Sequence, residues 1–483
     1  MRTTSEQFPK LTVDALADKT LQRSLDGMRR VMPSIRHAAT ADCPEFAGWC
    51  DQAANIRANT LKNLSAYLEQ FEAAVIAAGG KVHWAETAAE ACEIVSGLCG
   101  EPNKDAGIIK SKSMVTEEIG LNAALEGTGH SVTETDLGEY IIQLRDETPS
   151  HILAPALHVS LEEVGKTFET HHEVKRAAPL TEADDMLAEA REVLREKFLS
   201  AEVGITGANF LVAETGGAVI VTNEGNADLT MTLPDTHIVV TGIEKVVPTL
   251  DDVSMLLRVL ARSAIGERLS NYTTFIHGPK QAGEVAGPKS FHVVLVDNGR
   301  SKLIGSEFED ILRCIRCSAC LNHCPVYTAV GGHAYGSVYS GPMGSVFTPA
   351  FAGLGTTLHL PQASTLCGRC ATVCPVRIPI PDLLRRWRRQ AVDQSLTGSG
   401  ERRGLNIWAR ISRRPVLYGW LTSIGSRMIR SLSVPGASSA ERWVKWLPFP
   451  LSAWTKHRDL PAPARKSFQR QWRERGFKKG TGR

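Results

Sequence analysis

Seven cysteines in two runs are the residues of this sequence best suited to chemistry. The first run reads CIRCSACLNHCP, residues 314–325, and the second reads STLCGRCATVCP, residues 364–375. The first has the spacing C-x2-C-x2-C-x3-C-P, which bacterial ferredoxins use to hold iron–sulfur clusters. When the runs are aligned on their final Cys-Pro, Ser364 stands where the second run would have its first cysteine. The sequence therefore predicts two clusters on seven thiolates.

The spacing also predicts which thiolates share a cluster. Three closely spaced cysteines can wrap around three irons, whereas the fourth leaves on a short helix and serves the other cluster. The proline that follows it has no N–H to leave unpaired beside the cluster. This crossing rule assigns Cys314, Cys317, Cys320 and Cys374 to cluster 1, and Cys324, Cys367 and Cys370 to cluster 2.

Ser364 leaves the fourth position of cluster 2 open to several ligands. The serine oxygen, water or a residue distant in sequence could occupy it, or the corner iron could be lost, which would leave a three-iron cluster. We expect a [4Fe-4S] cluster with a non-cysteine or open corner. A zinc site and buried free thiols are the alternatives for the runs, but zinc sites rarely use this spacing. The possible distant donors, Cys43, Cys50, Cys92 and Cys99, have no cluster-like spacing and are expected to be structural, as is the lone His359 near the second run.

Composition and charge limit the class of protein. The chain has 483 residues, 43 % hydrophobic and 22 % charged, which is ordinary for a water-soluble protein of two or three domains. Its start lacks an apolar signal region and no run of about eighteen apolar residues occurs, so we expect a cytoplasmic protein. Eleven cysteines in a reducing compartment favour metal binding over disulfides.

The basic charge lies at the carboxyl end. Residues 401–483 hold 19 Lys and Arg against 4 Asp and Glu, a net charge of +15, so the first 400 residues carry −12. The same segment holds six of the nine tryptophans. This pattern is compatible with nucleic acid, an acidic protein partner, the membrane surface or a solvated face. We expect a solvated face or a protein partner, and no nucleic acid.

Apolar periodicity predicts the order of elements. Helices are expected through most of residues 1–100, including one over 55–78 that Gly79 and Gly80 end, then a strand at 81–85 and a helix capped by Thr87. Residues 105–300 alternate between apolar runs, among them SHILAPALH, and amphipathic helices, a pattern typical of an α/β domain with a largely parallel sheet. The stretch LTGSGERRG, residues 396–404, reads as a linker.

The α/β region carries candidate ligand-binding side chains after its apolar runs. Lys110, Lys112, Glu117 and Glu118 lie in KSKSMVTEE, and Asn223, Glu224 and Asn226 lie in VTNEGN. Strand-end loops bind ligands in such folds, and the lysines could hold a carboxylate or phosphate. Helix capping and surface charge are the alternative for any one of these residues. The sequence has no GxGxxG or P-loop motif, so it gives no support for a bound nucleotide.

Longer motifs give the chain a family resemblance over residues 5–475. It resembles the bacterial lactate utilisation protein B family in KSKSMVTEEIGLN, PSHILAPALH, VGGHAYGSVYSGPMG and both cysteine runs. The resemblance implies a lactate-utilisation α/β domain similar to the sugar isomerase and CoA-transferase-like fold, followed by a mainly helical ferredoxin-type domain with two [4Fe-4S] clusters. It also implies two partners, a cysteine-rich-domain subunit and a smaller protein with the same α/β domain, which together oxidise L-lactate to pyruvate. In the family the second run also has three cysteines.

The expected organisation has four parts: a helical region at 1–59, the lactate-utilisation domain at 60–300, the ferredoxin-type domain at 301–395 and a basic, tryptophan-rich region at 396–483. The cysteines favour an electron-transfer subunit, because such clusters carry one electron at a time and nothing else in the chain is recognisably the centre that removes two electrons from lactate. An enzyme that binds lactate or another small acid in its own α/β domain is the alternative. A redox- or acid-sensing regulatory module is a third hypothesis.

Overall fold

The computed structural model describes residues 3–103, 106–176, 178–436, 441–449, 451–456 and 458–475. The chain divides into two compact units, Met1–Leu396 and Thr397–Arg483. The boundaries proposed within the first unit, at residues 59 and 300, stay a prediction.

Four helices begin the first unit, after a 3₁₀ turn at Ser5–Gln7: α1 Phe8–Ala17, α2 Lys19–Ala41, α3 Phe46–Lys62 and α4 Leu64–Ala77. Asp18 caps α2, because its carboxylate accepts hydrogen bonds from the backbone N–H groups of Thr20 and Leu21. The single helix expected over 55–78 is interrupted at Asn63, whose backbone leaves the helical region (φ −120°, ψ 27°). The glycine stop is confirmed, since α4 ends two residues before Gly79, which has φ +87°.

A six-stranded sheet in which every neighbouring pair is parallel forms the centre of the α/β region, in the spatial order β1-β10-β7-β4-β2-β3. The strands are β1 Lys81–Ala85, β2 Ile108–Lys110, β3 Val132–Glu134, β4 Val203–Thr206, β7 Thr236–Gly242 and β10 Ser290–Val296. Its inner strands are buried on both faces and are rich in Val and Ile, as parallel strands require. The largely parallel sheet predicted from the sequence is confirmed.

The order in which the chain builds this sheet creates a switch point between β2 and β4. From β2 the chain moves outward to β3, then returns to β4 on the other side of β2 and continues through β7 to β10. Ligands of open α/β sheets bind at the carboxyl ends of the strands, at such a reversal. The backbone N–H of Ser111 donates to the carbonyl oxygen of Ile205 (2.9 Å), which joins the two strand ends there.

A smaller mixed sheet has four strands, which alternate along the chain with the later strands of the first sheet: β5 Phe210–Val212, β6 Gly217–Thr222, β8 Val246–Val247 and β9 Tyr272–Ile276. Their spatial order is β8-β5-β6-β9. Its β5–β6 and β6–β9 pairs are antiparallel, and the β5–β8 pair is parallel.

Two 3₁₀ turns follow strands of the six-stranded sheet: Ile243–Lys245 follows β7, and Ser301–Leu303 follows β10.

Eight helices connect these strands: α5 Ala88–Cys99, α6 Met114–Ile119, α7 Leu121–Gly127, α8 Leu137–Leu144, α9 Leu161–His171, α10 Ala183–Ser200, α11 Asn226–Thr232 and α12 Leu250–Ala264. The Thr87 cap is confirmed, because its hydroxyl accepts from the N–H of Glu90. Gly120, at φ +73°, separates α6 from α7. The apolar run SHILAPALH forms turns instead of a strand, because its polar groups bond within the turn: Ser150 N–H and hydroxyl both donate to the Pro155 carbonyl.

The cysteine region consists of short helices and 3₁₀ turns: Glu309–Arg313, α13 Ala319–Asn322, α14 Tyr327–Val330, His333–Tyr335, α15 Gly341–Ala352, α16 His359–Gln362, α17 Arg369–Val373 and α18 Ile380–Asp393. One apolar core runs through this region and into its neighbours. It contains Leu25 of α2, Phe46 of α3, Val253 of α12 and Tyr327 of α14, all buried. The cysteine region therefore shares its apolar core with α2, α3 and α12.

The second unit holds helices α19 Ser399–Ser412, α20 Pro415–Ser431 and α21 Phe468–Glu474, a 3₁₀ turn at Leu451–Trp454, and the antiparallel strands β11 Val434–Pro435, β12 Arg442–Val444 and β13 Leu460–Pro461. The linker expected at 396–404 is wrong in extent, because α19 already begins at Ser399, with Gly398 at its N-cap. Across the described ranges of the chain, no helix is both long and apolar enough to cross a membrane.

Candidate metal centres and a neighbouring cavity

The two cysteine runs adopt matching backbone conformations. In the first run the residues on either side of Cys317, Arg316 and Ser318, have positive φ values of 60° and 58°. In the second run the residues on either side of Cys367, Leu366 and Gly368, have φ values of 54° and 85°. A non-glycine residue in this region costs about 1–3 kcal/mol, so packing must hold each loop in this shape. A short helix follows each loop, α13 and α17.

The loops bring the cysteines together in two groups. Cys314, Cys317, Cys320 and Cys374 line one mostly apolar cavity, which has Met343 and Ile378 in its wall. Cys324, Cys367 and Cys370 form the other group, since Cys367 raises the pKa of both Cys324 and Cys370 in addition to the effect of burial. The fourth cysteine of each run thus lies with cysteines of the other run. The two groups are neighbours, because the charge of Cys370 adds to the effect of burial in raising the pKa of Cys320.

The donor chemistry in both groups fits an iron–sulfur cluster. Burial raises the pKa of Cys374 to about 11 and that of Cys370 to about 12, so the thiols stay protonated until a metal displaces the proton. Backbone N–H groups already point at the sulfurs: Arg316 N lies 3.4 Å from Cys314 Sγ, and Ile378 N lies 3.4 Å from Cys374 Sγ. Hydrogen bonds of this kind tune cluster potentials.

Among the described residues no group of three or more His, Cys, Asp or Glu side chains is arranged to hold a single metal ion.

Ser364 takes the position of a first ligand. Its Oγ accepts a hydrogen bond from the backbone N–H of Leu366 (3.1 Å), two residues ahead, as Cys314 Sγ does from Arg316. Arg388 holds the loop by donating to the carbonyl oxygens of Pro361 (2.8 Å) and Ser364 (3.0 Å). Cys367 beside it is exposed, so this corner of the second group is the one closest to solvent.

The other candidate ligands divide between two places. Cys43 and Cys50 are buried in the same apolar core as most of the motif cysteines, and Cys92 and Cys99 lie on α5 against the parallel sheet. His359 is exposed at the start of α16. None of these five residues lines the cysteine cavity.

A buried network of charges joins the cysteine region to the α/β region. Arg300 donates to both carboxylate oxygens of Glu118 (2.8 and 2.7 Å) and to Glu244 (2.7 Å). Tyr339 donates its hydroxyl to Glu118 (2.5 Å), and Arg316 approaches Glu244 (3.4 Å). The side chains in the three ion pairs of this network are at most 8 % exposed. A glycine at position 242 leaves room for the Glu244 carboxylate, because a Cβ there would lie 2.1 Å from Glu244 Oε2.

A cavity of about 320 Å³ lies at the switch point of the parallel sheet. The residues directly after β2 and β4, Ser111–Ser113 and Gly207–Asn209, form part of its wall. Its charged lining residues are Lys112, Asp136, Glu224, Lys245 and Arg316. Arg316 also lines the cysteine cavity, so the two spaces share one lining residue. Its guanidinium lies over the rings of Phe347 (4.0 Å) and Tyr339 (4.7 Å), which fixes it in this wall.

The candidates predicted in the α/β region divide between this cavity and buried ion pairs. Lys112, Asn223, Glu224 and Asn226 line the cavity. Lys110 is not a free anion ligand, because it is fully buried and pairs with Glu134 (2.6 Å) and Glu117 (3.2 Å). Glu118 belongs to the Arg300 network. Sequence reasoning missed Lys245, Thr241 and Arg316, and of these only Arg316, inside the first cysteine run, had any local signal.

Three family matches cover most of the chain. Residues 68–296 match the LUD domain, residues 310–378 match the 4Fe-4S dicluster domain, and residues 391–477 match the lactate utilisation protein B C-terminal domain. Lactate utilization protein B of Macrococcus caseolyticus is 41 % identical over 483 residues, which is 100 % of this chain and 99 % of that protein. The chain belongs to the lactate utilization protein B family. Both cysteine runs lie within the residues that match the 4Fe-4S dicluster domain.

Other relatives agree. Lactate utilization protein B of Bacillus velezensis is 41 % identical over 99 % of both chains, and the uncharacterized electron transport protein YkgF of Escherichia coli is 40 % identical over 98 % of this chain and 97 % of its own. A crystal structure of a DUF162 family protein from Deinococcus radiodurans aligns at 17 % identity with a TM-score of 0.28, covering 48 % of this chain and 98 % of that one. A score this low carries no argument, and the α/β assignment depends on the sheet itself.

Proposed function

We propose that this chain is the electron-transfer subunit of a complex that oxidises L-lactate to pyruvate. The observation that carries the proposal is the crossed grouping of the seven motif cysteines, in a chain of the lactate utilization protein B family. Cys314, Cys317, Cys320 and Cys374 would hold one [4Fe-4S] cluster. Cys324, Cys367 and Cys370 would hold the other, whose fourth position, near Ser364, is open or has a non-cysteine ligand.

The environments of the two groups suit a relay. When bound, each cluster would accept and pass on a single electron. The first group lies against Arg316 and the apolar wall of the cysteine cavity, whereas the second has the exposed Cys367. The two groups are near enough for the charge of Cys370 to add to the effect of burial in raising the pKa of Cys320. The second group thus has a thiol at the surface, and the first group adjoins it.

The remaining expectations from the family stay proposals of the same kind. The α/β region is proposed to be similar to the sugar isomerase and CoA-transferase-like fold, and residues 301–395 to form a ferredoxin-type domain. The proposed location is the cytoplasm or its membrane surface. The proposed partners are a cysteine-rich-domain subunit and a smaller protein with a lactate-utilisation domain.

The decisive experiment follows electrons from lactate. The chain is purified without oxygen, alone and with its two partner proteins, and L-lactate is added while the clusters are observed by EPR. We expect reduction of the clusters only in the presence of the partners, because lactate gives up two electrons and each cluster takes one. D-lactate is the matched control. Clusters that stay oxidised in the complete mixture would contradict the proposal.

One observation favours a second candidate function. The switch-point cavity lies next to the cysteine cavity, so the chain could be an enzyme that binds lactate or another small acid itself. The two candidates differ in a simple assay. Turnover of L-lactate by the isolated chain with an artificial electron acceptor would favour the enzyme, and its absence the electron carrier.

We propose that the second unit docks the chain to an acidic surface of a partner protein. Its tryptophans support this, since Trp408, Trp420 and Trp446 are each at least 60 % exposed, and residues 401–483 carry +15. Aromatic anchors within a basic field are typical of docking surfaces.

Removing the residues after Gly398 is expected to leave both clusters in place, because every motif cysteine precedes that position. Association with the partner proteins should weaken, and association of the full chain should fall as salt rises. Pull-down at 50 and 500 mM NaCl measures both, with iron content as the control for folding. A truncated chain that binds its partners as tightly as the full chain would exclude the docking role, and binding to anionic vesicles instead would assign the unit to the membrane.

A further inference from the structure

We propose that the switch-point cavity is a binding site for a small organic acid, whose carboxylate is held by Lys245 beside Arg316. The proposal concerns binding alone, and only the choice of probe acids depends on the proposed function. It begins from the position of the cavity, at the carboxyl ends of the parallel strands where their order reverses, which is where open α/β sheets bind ligands. The volume of about 320 Å³ lies in the range of small-molecule sites.

Lys245 is a buried cation that lacks a partner. It is 6 % exposed, lies in the cavity wall, and forms no ion pair or hydrogen bond within the described parts of the chain. Neighbouring Glu244 is already engaged by Arg300 and Arg316. Burial, and after it the charge of Arg316, lowers the pKa of Lys245 to about 8. An anion beside it would remove most of this penalty, since a buried charge is costly until it is paired.

Two neutral polar groups also lack partners. Thr241 is 1 % exposed, and its buried hydroxyl has no hydrogen-bond partner among the described residues. The same holds for Oδ1 of Asn226. Both residues line the cavity. Buried polar groups are almost always hydrogen-bonded, so unpaired ones in a cavity wall indicate that a ligand supplies the missing bonds.

The charges and apolar groups of the wall define the ligand class. Lys112, Lys245 and Arg316 face Asp136 and Glu224, which leaves a net charge of +1 and suits a singly charged carboxylate better than a phosphate dianion. Met114, Ile152 and Leu260 supply apolar surface for a short carbon chain. The surroundings of the two lysines differ: burial lowers the pKa of both, but Asp136 and Glu224, which line the cavity, oppose this effect at Lys112, whereas Arg316 adds to it at Lys245, where the opposing groups are Glu244 and Cys314, outside the cavity lining. The cationic end, at Lys245, is the carboxylate position.

The test measures ligand binding by the full chain, purified without oxygen. The probes are L-lactate, pyruvate and inorganic phosphate, each compared with sodium chloride at equal ionic strength. Isothermal titration calorimetry gives the affinity, and the thermal unfolding midpoint gives an independent readout, because a ligand that binds only the folded state raises it. We expect lactate or pyruvate to bind and phosphate to bind more weakly or not at all.

Lys245→Met should reduce the affinity for the acid at least tenfold, and Thr241→Val, which removes only the hydroxyl, should reduce it by a smaller factor. Lys302→Met, at an exposed lysine, is the matched control and should bind like the unaltered chain. Iron content is measured on every variant, so that a failure to fold or to carry clusters is distinguished from a failure to bind. Absence of binding by both acids, tighter binding of phosphate, or unchanged affinity in a folded Lys245→Met chain would overturn the proposal.

Discussion

Cys374→Ser is expected to disturb the same cluster signal as Cys317→Ser, although the two residues belong to different runs. Cys374 lines one cavity with Cys314, Cys317 and Cys320, so its loss takes away the fourth thiolate of that group. Cys324→Ser should reproduce the effect of Cys370→Ser by the same reasoning. The intact chain should hold about eight irons, as two [4Fe-4S] clusters require, and each variant should lose iron only from the cluster whose ligand is changed.

Iron analysis and EPR of the reduced protein measure this result. Cys92→Ser, which changes a cysteine on α5 outside both groups, is the matched control and should keep about eight irons. If Cys374→Ser instead removes the signal that depends on Cys367 and Cys370, the clusters follow the runs and the crossed assignment is wrong.

The same measurements bear on Ser364. Its hydroxyl holds the first-ligand position with an oxygen where the other loop has a sulfur. Iron loss in air is therefore expected to begin at the second group, and Ser364→Cys is expected to slow it. Equal rates of loss in the two proteins would show that this corner does not decide the stability of the cluster.

Arg300→Met is expected to destabilise the first unit by about 3–5 kcal/mol, because it leaves the buried carboxylate of Glu118 without a cation and that of Glu244 with only the longer contact to Arg316 (3.4 Å). The Arg300 side chain is fully buried, and it is the residue that joins Glu118 to Glu244. Urea unfolding of the full chain, followed by circular dichroism, gives the free energy of unfolding. The control is Lys289→Met, which breaks an exposed ion pair with Asp235 (2.7 Å) and should cost about 0–1 kcal/mol.

A double variant separates lost pairing from lost packing. The double variant Arg300→Met/Glu118→Gln should lose less free energy of unfolding than the sum of the two single changes, because the Glu118 carboxylate that has no cation in Arg300→Met is absent. Additive effects would mean that the network contributes by packing alone.

The network also has a pH signature. Arg300 and Arg316 overcome the effect of burial and lower the pKa of Glu244 to about 2, and Arg300 lowers that of Glu118. A depressed carboxylate pKa contributes stability that is present above the unfolded value, about 4.5, and is lost as pH falls towards 2. The difference in stability between Arg300→Met and the intact chain should therefore shrink over that interval.

Local patterns in the sequence were enough to predict much of the first unit. The strand at Lys81–Ala85, the cap at Thr87 and the parallel sheet follow from short-range periodicity and turn chemistry, and the structure has all three. The prediction of a strand from the run SHILAPALH was wrong, because apolar content cannot distinguish a buried turn from a buried strand. The predicted linker was too long, because a glycine-rich stretch can still begin a helix.

Contacts between distant residues were beyond such reasoning. Lys110 and Lys112 stand two residues apart in one motif, yet one is neutralised by Glu134 and the other lines the cavity. Lys245 and Arg316 have 70 residues between them and meet only because β7 ends next to the first cysteine run. The ligand assignment of the seven cysteines was predicted from spacing and stays a prediction until the variants above are measured.

The amino-terminal contacts of the cysteine region have a consequence for synthesis. The Thr3 hydroxyl donates to the carbonyl of Gly336 (2.8 Å), and that of Ser5 donates to the carbonyl of Tyr335 (2.9 Å), so the first turn docks on residues translated more than 300 positions later. At about 5–20 residues per second the ribosome needs roughly 20 to 70 s to cover that distance. Throughout that interval α1 and α2 leave the exit tunnel without the surface that buries Leu25. The buried positions of α2, Leu25 and Met28, therefore stay without their partners in the nascent chain until the cysteine region has been synthesised.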